Sequence, residues 1–222
     1  METWAALFER AEGFGVDEEA IRAALAERRE RGTDGDNADD RGGDTAGEGA
    51  GDADDSPGDD TDDVPDPADP SPARIVADAD VLAADLLVGS DAREALDGPR
   101  GHSWTTLVAS DALVDDAAAV IASLADSDLA ADWRERIDEW REPVAQPPGD
   151  HPALASAFRG GAMHVLSFDD RLTTPGAGAG LHDRFPVSVR EPRAFAALFD
   201  AEKLYPEVGD GEYPGPDRDP RA

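Results

Sequence analysis

From Ala73 onward, short apolar runs alternate with stretches of helical periodicity, and this alternation constrains the fold more than any other feature of the chain. RIVAD (74–78), HSWTTLVAS (102–110), MHVLSFD (163–169) and FPVSVRE (185–191) read as strands. Between and after them VLAADLL (81–87), DAREAL (91–96), SDALVDDAAAVIASLA (110–125), LAADWRERIDEW (129–140), HPALASAF (151–158) and PRAFAALFDAEKL (192–204) read as helices. Strands separated by helices predict parallel pairing with helices on both faces. The expected fold is α/β: a three-layer α/β/α domain over 73–205 with a mostly parallel central sheet.

Three further segments complete the expected layout. Residues 1–32 predict a helical pair: Trp4, Leu7, Phe8 and Ala11 fall at helical spacing, and EEAIRAALAERRE places acids in its first turn and arginines in its last. Such a pair is too small to stand alone and must dock on this chain, a second copy or a protein partner. Residues 33–72 hold 15 acids, one base and no aromatic side chain, a composition that predicts a disordered acidic linker. Residues 206–222 predict a loose tail rich in Gly, Pro and Asp.

Composition matters because it weakens any argument from a lone acid. The chain has 51 acidic residues against 20 basic ones, and Lys203 is its single lysine beside 19 arginines. Asp excess with lysine depletion suits a halophilic protein held soluble in molar salt, where charge repulsion is screened within a few ångströms. There is no cysteine, so neither a disulfide framework nor a thiolate metal site exists. The N-terminus carries acids where a signal peptide would carry bases, and no apolar run approaches the roughly 18 residues of a membrane span. The expectation is a soluble, cytoplasmic protein with no membrane contact.

Position separates some acids from that background. Asp78 follows the apolar RIVA and Asp169 follows HVLSF, and both tips lie on the same edge of a parallel sheet with right-handed crossovers. Asp116, in the Ser110 helix, and Asp150, at or near the N-cap of HPALASAF, can reach the same edge. Carboxylates gathered there repel one another unless a cation joins them, and a hard ion such as Mg²⁺ or Mn²⁺ accepts oxygen ligands of this type. Such an ion lowers the pKa of water and stabilises negative charge on a phosphodiester.

Asp78-Ala79-Asp80-Val81-Leu82 is similar to the strand-end Asp-Thr-Asn-Val-Leu signature of PIN-domain nucleases. SDALVDDAAAVI resembles their Ser-x-x-Leu-x-x-Glu helix, DHPALASAFRGGAMHVLSFDDRL their Asp, small-residue helix, strand and Thr/Ser-x-Asp run, and FPVSVREPRAFAALF their closing strand and Pro-led helix. The resemblance covers roughly Arg74 to Phe199. It implies a PIN-like nuclease hydrolysing RNA, with Asp78, Asp116, Asp150 and Asp169 as catalytic and metal-binding acids and Ser167 assisting at the last. The family includes toxin ribonucleases neutralised by a partner protein as well as RNA-processing nucleases. This chain departs from the pattern: Asp replaces Glu at 116, with Asp115 leaving the register open, Asp80 stands where Asn is common, and Phe168 replaces a small residue.

Two rival readings remain. A catalytically inactive PIN-like module would keep the sheet for partner binding. A haloacid-dehalogenase-type phosphatase would use Asp78 and Asp80, yet its late acidic pair, Asp169 and Asp170, precedes Lys203, and the expected Gly-Thr is absent. The histidines, His102, His151, His164 and His182, show no metal-like spacing. The glycines of 176–180 lack a phosphate-loop pattern. Arg74, Arg93, Arg100, Arg159, Arg171 and Arg184 are candidate phosphate contacts.

Overall fold

A computed structural model describes residues 2–36, 66–147, 149–173 and 186–222. Most of the expected acidic linker, the glycines of 176–180, His182 and Arg184 lie outside the described residues. The elements run α1 (Trp4–Glu12), α2 (Glu18–Asp36), β1 (Ser71–Ala77), α3 (Ala79–Leu87), α4 (Ser90–Arg100), β2 (Thr106–Ser110), α5 (Asp111–Leu124), α6 (Ser127–Trp140) and β3 (Arg141–Val144). There follow α7 (Pro152–Arg159), β4 (Ala162–Leu166), α8 (Asp170–Thr173), β5 (Ser188–Arg190), α9 (Pro192–Leu198) and α10 (Ala201–Leu204).

The expected α/β fold is present, and its sheet is parallel throughout. The strand order is β3-β2-β1-β4-β5, with Ile75 of β1 paired to Leu107 on one side and His164 on the other. β1 is central because its second half, Ile75 to Ala77, is buried on both faces. Right-handed crossovers place α3 to α6 on one face and α7 on the other. Helix α7 sits close to the sheet because it presents Ala153, Ser156 and Ala157; a Cβ on Gly160 just beyond it would meet Val108 Cγ1 at 2.1 Å.

Four boundaries differ from the sequence reading. β1 starts at Ser71, inside the span assigned to the linker, and α2 runs on to Asp36. β3 was not expected at all: Arg-Glu-Pro-Val is a polar edge strand that pairs only with β2. Finally, the chain after 205 is strapped to the domain rather than loose. Asp217 N and Arg218 N both donate to Gly101 O at 3.1 Å, Ser103 N donates to Asp217 Oδ1 at 2.7 Å, and Tyr213 Oη lies 2.6 Å from His102 Nε2.

The N-terminal helices dock on this chain. Trp4, Leu7, Phe8 and Ala11 of α1 and Ile21 and Leu25 of α2 are buried in the same core as the sheet. Arg93 lies over the Phe8 ring at 3.7 Å and Arg100 over the Trp4 ring at 4.3 Å, adding cation–π attraction to the burial. Among the described residues no helix is long and apolar enough to cross a membrane.

Candidate active site

The order β3-β2-β1-β4-β5 reverses direction between β1 and β4, and in open α/β sheets ligands bind outside the C-terminal ends of strands at such a switch point. Asp78 and Ser167 are the first residues past those two strands. The ladder holds both: Asp78 N donates to Leu166 O at 2.8 Å and Ser167 N to Arg190 O at 3.1 Å.

Asp78 is fully buried and is the N-cap of α3. Its Oδ1 accepts from Ala79 N at 2.8 Å, and its Oδ2 accepts from Ser167 Oγ at 3.1 Å. Asp80, two residues on, is nearly as buried. Its Oδ1 accepts from Val81 N at 2.7 Å and its Oδ2 from Phe168 N at 3.1 Å. Burial, and secondly the neighbouring charge of Asp78, pushes the Asp80 pKa well above the usual carboxylate range. The two backbone N–H groups and Arg29 oppose that shift without cancelling it.

Asp169 N donates to Ser167 Oγ at 3.0 Å, so one hydroxyl ties the β4 tip to Asp78. The Asp169 carboxylate accepts from Arg171 Nη2 at 2.7 Å, and that guanidinium is the first cause of its lowered pKa. Asp116 of α5 faces the same region, while Asp115 turns away to pair with Arg134 on α6; position 116 is therefore the acid on the site's side. Asp150 stands exposed, with its carbonyl accepting from Gln146 Nε2 at 2.9 Å. Pro152 opens α7, so the N-cap falls on His151 rather than on Asp150.

Two arginines that the sequence reading did not place here complete the site. Arg29 Nη2 donates to Asp78 Oδ1 at 2.8 Å, and its Nε lies 3.6 Å from Asp116 Oδ2. Arg28 Nε donates to Asp116 Oδ1 at 2.6 Å. Their signal was present but ambiguous. Ile21, Leu25, Arg28 and Arg29 stand at i, i+4, i+7 and i+8, so the arginines prolong the buried face of α2. At the end of a short helix they read equally well as complements to its dipole.

His151 was also passed over. Its Nε2 lies 3.1 Å from Arg29 Nη1 and 4.0 Å from Asp78 Oδ2. Its pKa is lowered, chiefly by burial, with Asp78 and Asp169 opposing and Arg29 and Arg171 adding to the fall. Between α2 and the strand tips lies a cavity of about 720 Å³, lined among others by Leu25, Arg29, Asp80, His151, Phe168 and Asp169. Lys203, the cation a phosphatase mechanism would need, is an exposed residue of α10 paired with Asp200 and does not line this cavity.

The donor set can be tested against a divalent ion. Its chemistry fits, since carboxylates and a hydroxyl are hard oxygen donors. The arrangement does not. Among the described residues no three His, Asp or Glu side chains stand so that they could share one ion. Guanidinium groups hold Asp78 and Asp116 instead.

An all-parallel α/β domain with buried carboxylates at its switch point defines the class of protein. The chain belongs to a family of unknown function (DUF7384), whose match spans residues 69–221. All five strands and the strapped C-terminal segment fall within that match, and α1 and α2 lie outside it. No curated protein and no solved structure matches the chain.

Proposed function

We propose that the domain is a PIN-like ribonuclease that uses Mg²⁺ or Mn²⁺ to hydrolyse RNA phosphodiesters. The observation that supports this reading is the gathering of Asp78, Asp80 and Asp169 at the tips of β1 and β4 through Ser167 and Phe168 N, with Asp116 joined to Asp78 through Arg29. An ion there would supply charge neutralisation for the phosphodiester and a lowered pKa for water, and holding it would require Asp78 and Asp116 to exchange Arg29 and Arg28 for the ion. Ser167 fixes the spacing of the two strand tips by donating to Asp78 and accepting from Asp169 N. Asp80 faces the cavity and, with its raised pKa, is the carboxyl best suited to carry a proton toward a leaving oxygen. His151 borders the same cavity and presents a neutral imidazole near neutral pH.

A second reading is favoured by the arginines. A PIN-like module without metal would keep Asp78 and Asp116 permanently paired with Arg29 and Arg28, and its business would be partner binding. Cleavage of a single-stranded oligoribonucleotide separates the two. The assay uses the full chain in molar KCl with millimolar Mn²⁺, as wild type, as Arg28→Gln/Arg29→Gln and as Asp78→Asn. Mn²⁺-dependent cleavage that is lost in Asp78→Asn supports the nuclease. Intact RNA with both the wild type and the double arginine variant overturns it.

A further inference from the structure

We infer that the cavity between α1, α4, α6 and the C-terminal segment binds a halide, chloride, as a structural ligand that ties these four parts together. The cavity measures about 230 Å³, is lined among others by Trp4, Arg100, Arg136, Trp140 and Arg218, and shares no residue with the one at the strand tips. Arg100 and Arg136 each carry a buried Nε, and Trp140 a buried Nε1, that has no hydrogen-bond partner among the described residues. Arg100 is the deepest of the three, with 3 % of its side chain exposed. Buried polar groups almost always find a partner, and such exceptions call for an ion or a water that completes them. The three groups stand together. The Arg100 guanidinium lies 4.3 Å from the Trp4 ring and 4.7 Å from that of Trp140, and the Arg136 guanidinium 5.8 Å from Trp4.

The chemistry of these donors selects the ligand. Guanidinium and indole N–H groups only donate, so whatever completes them must accept. A water oxygen accepts on two lone pairs, whereas a halide accepts on every side. The forks that suit a carboxylate or a phosphate are already spent. The two Nη atoms of Arg100 go to Asp97 and Asp85, and those of Arg136 to Glu139 and Ala222 O. What remains on each is a single edge N–H, which fits a spherical acceptor better than a planar one. Arg218 supplies charge: its backbone N is tied to Gly101 O, and its side chain makes no salt bridge among the described residues. Glu139 and Asp219 also line the cavity, so the unmet donors and not the net charge choose an anion. At about 30 Å³ per water, the volume admits a halide with part of its hydration shell. The composition suits molar salt, where chloride is abundant enough to fill even a site of modest affinity. Trp4 lies outside the family match while Arg100, Arg136, Trp140 and Arg218 lie within it, so the ion fastens α1 to the common domain.

Two measurements on the full chain test this, at constant molar potassium with acetate replaced stepwise by chloride. The chloride NMR linewidth reads binding in the wild type and in Trp140→Phe, which keeps a ring and removes the N–H. It is read also in Arg218→Gln, an exposed position, and in Arg31→Gln, an exposed control on α2 with the same charge change. Hydrogen exchange read by mass spectrometry follows the amides of α1 in the wild type in chloride and in acetate, and needs no substitution. The expected result is saturable broadening in the wild type that bromide displaces. Affinity should be about tenfold or more weaker in Trp140→Phe and in Arg218→Gln, each having lost a charge-assisted contact, and unchanged in Arg31→Gln. The α1 amides should exchange more slowly in chloride than in acetate. Broadening that is absent from the wild type, or equal in all four proteins, overturns the halide site and leaves the unmet donors to water. Equal exchange of α1 in the two salts overturns its role in fastening that helix. Arg218→Gln and the wild-type exchange decide the matter even where Trp140→Phe fails to fold.

Discussion

Arg29 Nη2 donates to Asp78 Oδ1 at 2.8 Å, joining a helix that precedes the domain to the first residue past its central strand. The two residues do not depend on each other equally. Asp78 is fully buried, whereas Arg29 keeps a second carboxylate, Asp116, at 3.6 Å. Arg29→Met leaves a buried carboxylate with only Ser167 and Ala79 N, and is expected to cost about 1–3 kcal/mol. Asp78→Asn keeps an N-cap oxygen and removes the charge, and is expected to cost less, under about 1 kcal/mol. Chemical denaturation of both variants and the double variant gives a cycle whose coupling should fall at about 0.5–3 kcal/mol. An Arg29→Met cost no larger than that of Asp78→Asn would show that the carboxylate does not depend on this guanidinium.

A second ion pair lies deeper, and the balance there tips the other way. Arg100 Nη2 lies 2.5 Å from Asp85 Oδ2, with both side chains almost wholly buried beneath Trp4 and Trp140. Burial raises the Asp85 pKa despite the adjacent guanidinium, so desolvation outweighs attraction. Asp85 Oδ1 and Arg100 Nε moreover have no hydrogen-bond partner among the described residues. Arg100→Met alone should destabilise by about 3–5 kcal/mol, because it strands a buried carboxylate. Asp85→Leu/Arg100→Met should recover most of that loss in thermal melts. A double variant no more stable than Arg100→Met would show that the pair, and not its burial, holds α1 to the domain.

These particulars show how much the sequence made legible. Asp78 and Asp169 could be read because each follows an apolar strand, and that pattern is local. The arginine contacts could not, since residues 29 and 78 meet only through the docking of one helix on a separate domain. β3 escaped because an edge strand exposes one side and tolerates proline, as Pro143 shows, so Arg141–Val144 carries no alternating or apolar signal. At α7 the sequence puts Asp150 at or near the cap, and Pro152 at the first helical position decides for its neighbour His151. The C-terminal segment read as loose because its hold on the domain comes from backbone groups and from single side chains, among them Tyr213 on His102 and Asp217 on Ser103, none of which leaves a periodic trace.

Glycine conformation gives a third prediction, through a matched pair. Gly161, at φ +63°, opens β4, and a Cβ there would meet Asp69 O at 2.3 Å and Ala68 O at 2.9 Å. Both obstacles are backbone, fixed by Ser71 N donating to Gly161 O at 2.8 Å and Ala68 N to Arg159 O at 2.9 Å. Gly15, at φ +64° between α1 and α2, has open space around it. Gly15→Ala should cost about 1 kcal/mol for the left-handed backbone alone, and Gly161→Ala clearly more, above about 2 kcal/mol. Equal melting temperatures for the two variants would mean that the segment before β1 yields easily, contrary to its bonding.

His164 supplies the pH dependence. It lies on β4 with its ring 5.5 Å from that of Phe195, and its pKa is lowered, first by burial and then by the Arg190 guanidinium on β5. Asp200, Lys203 and Glu207 line the same groove. The folded-state pKa therefore lies below the ordinary imidazole value of about 6.5, and in the window between the two the folded state binds fewer protons than the unfolded chain. Stability from this source is complete above about pH 6.5 and is lost as the pH falls through that window, because the unfolded imidazole takes up the proton first. His164→Phe keeps an aromatic ring against Phe195 and removes the titration. Thermal midpoints at pH 7 and pH 5 should therefore fall further in the wild type than in the variant. An equal fall would assign the acid sensitivity to a different group, and the ring of His164 would then matter only for packing.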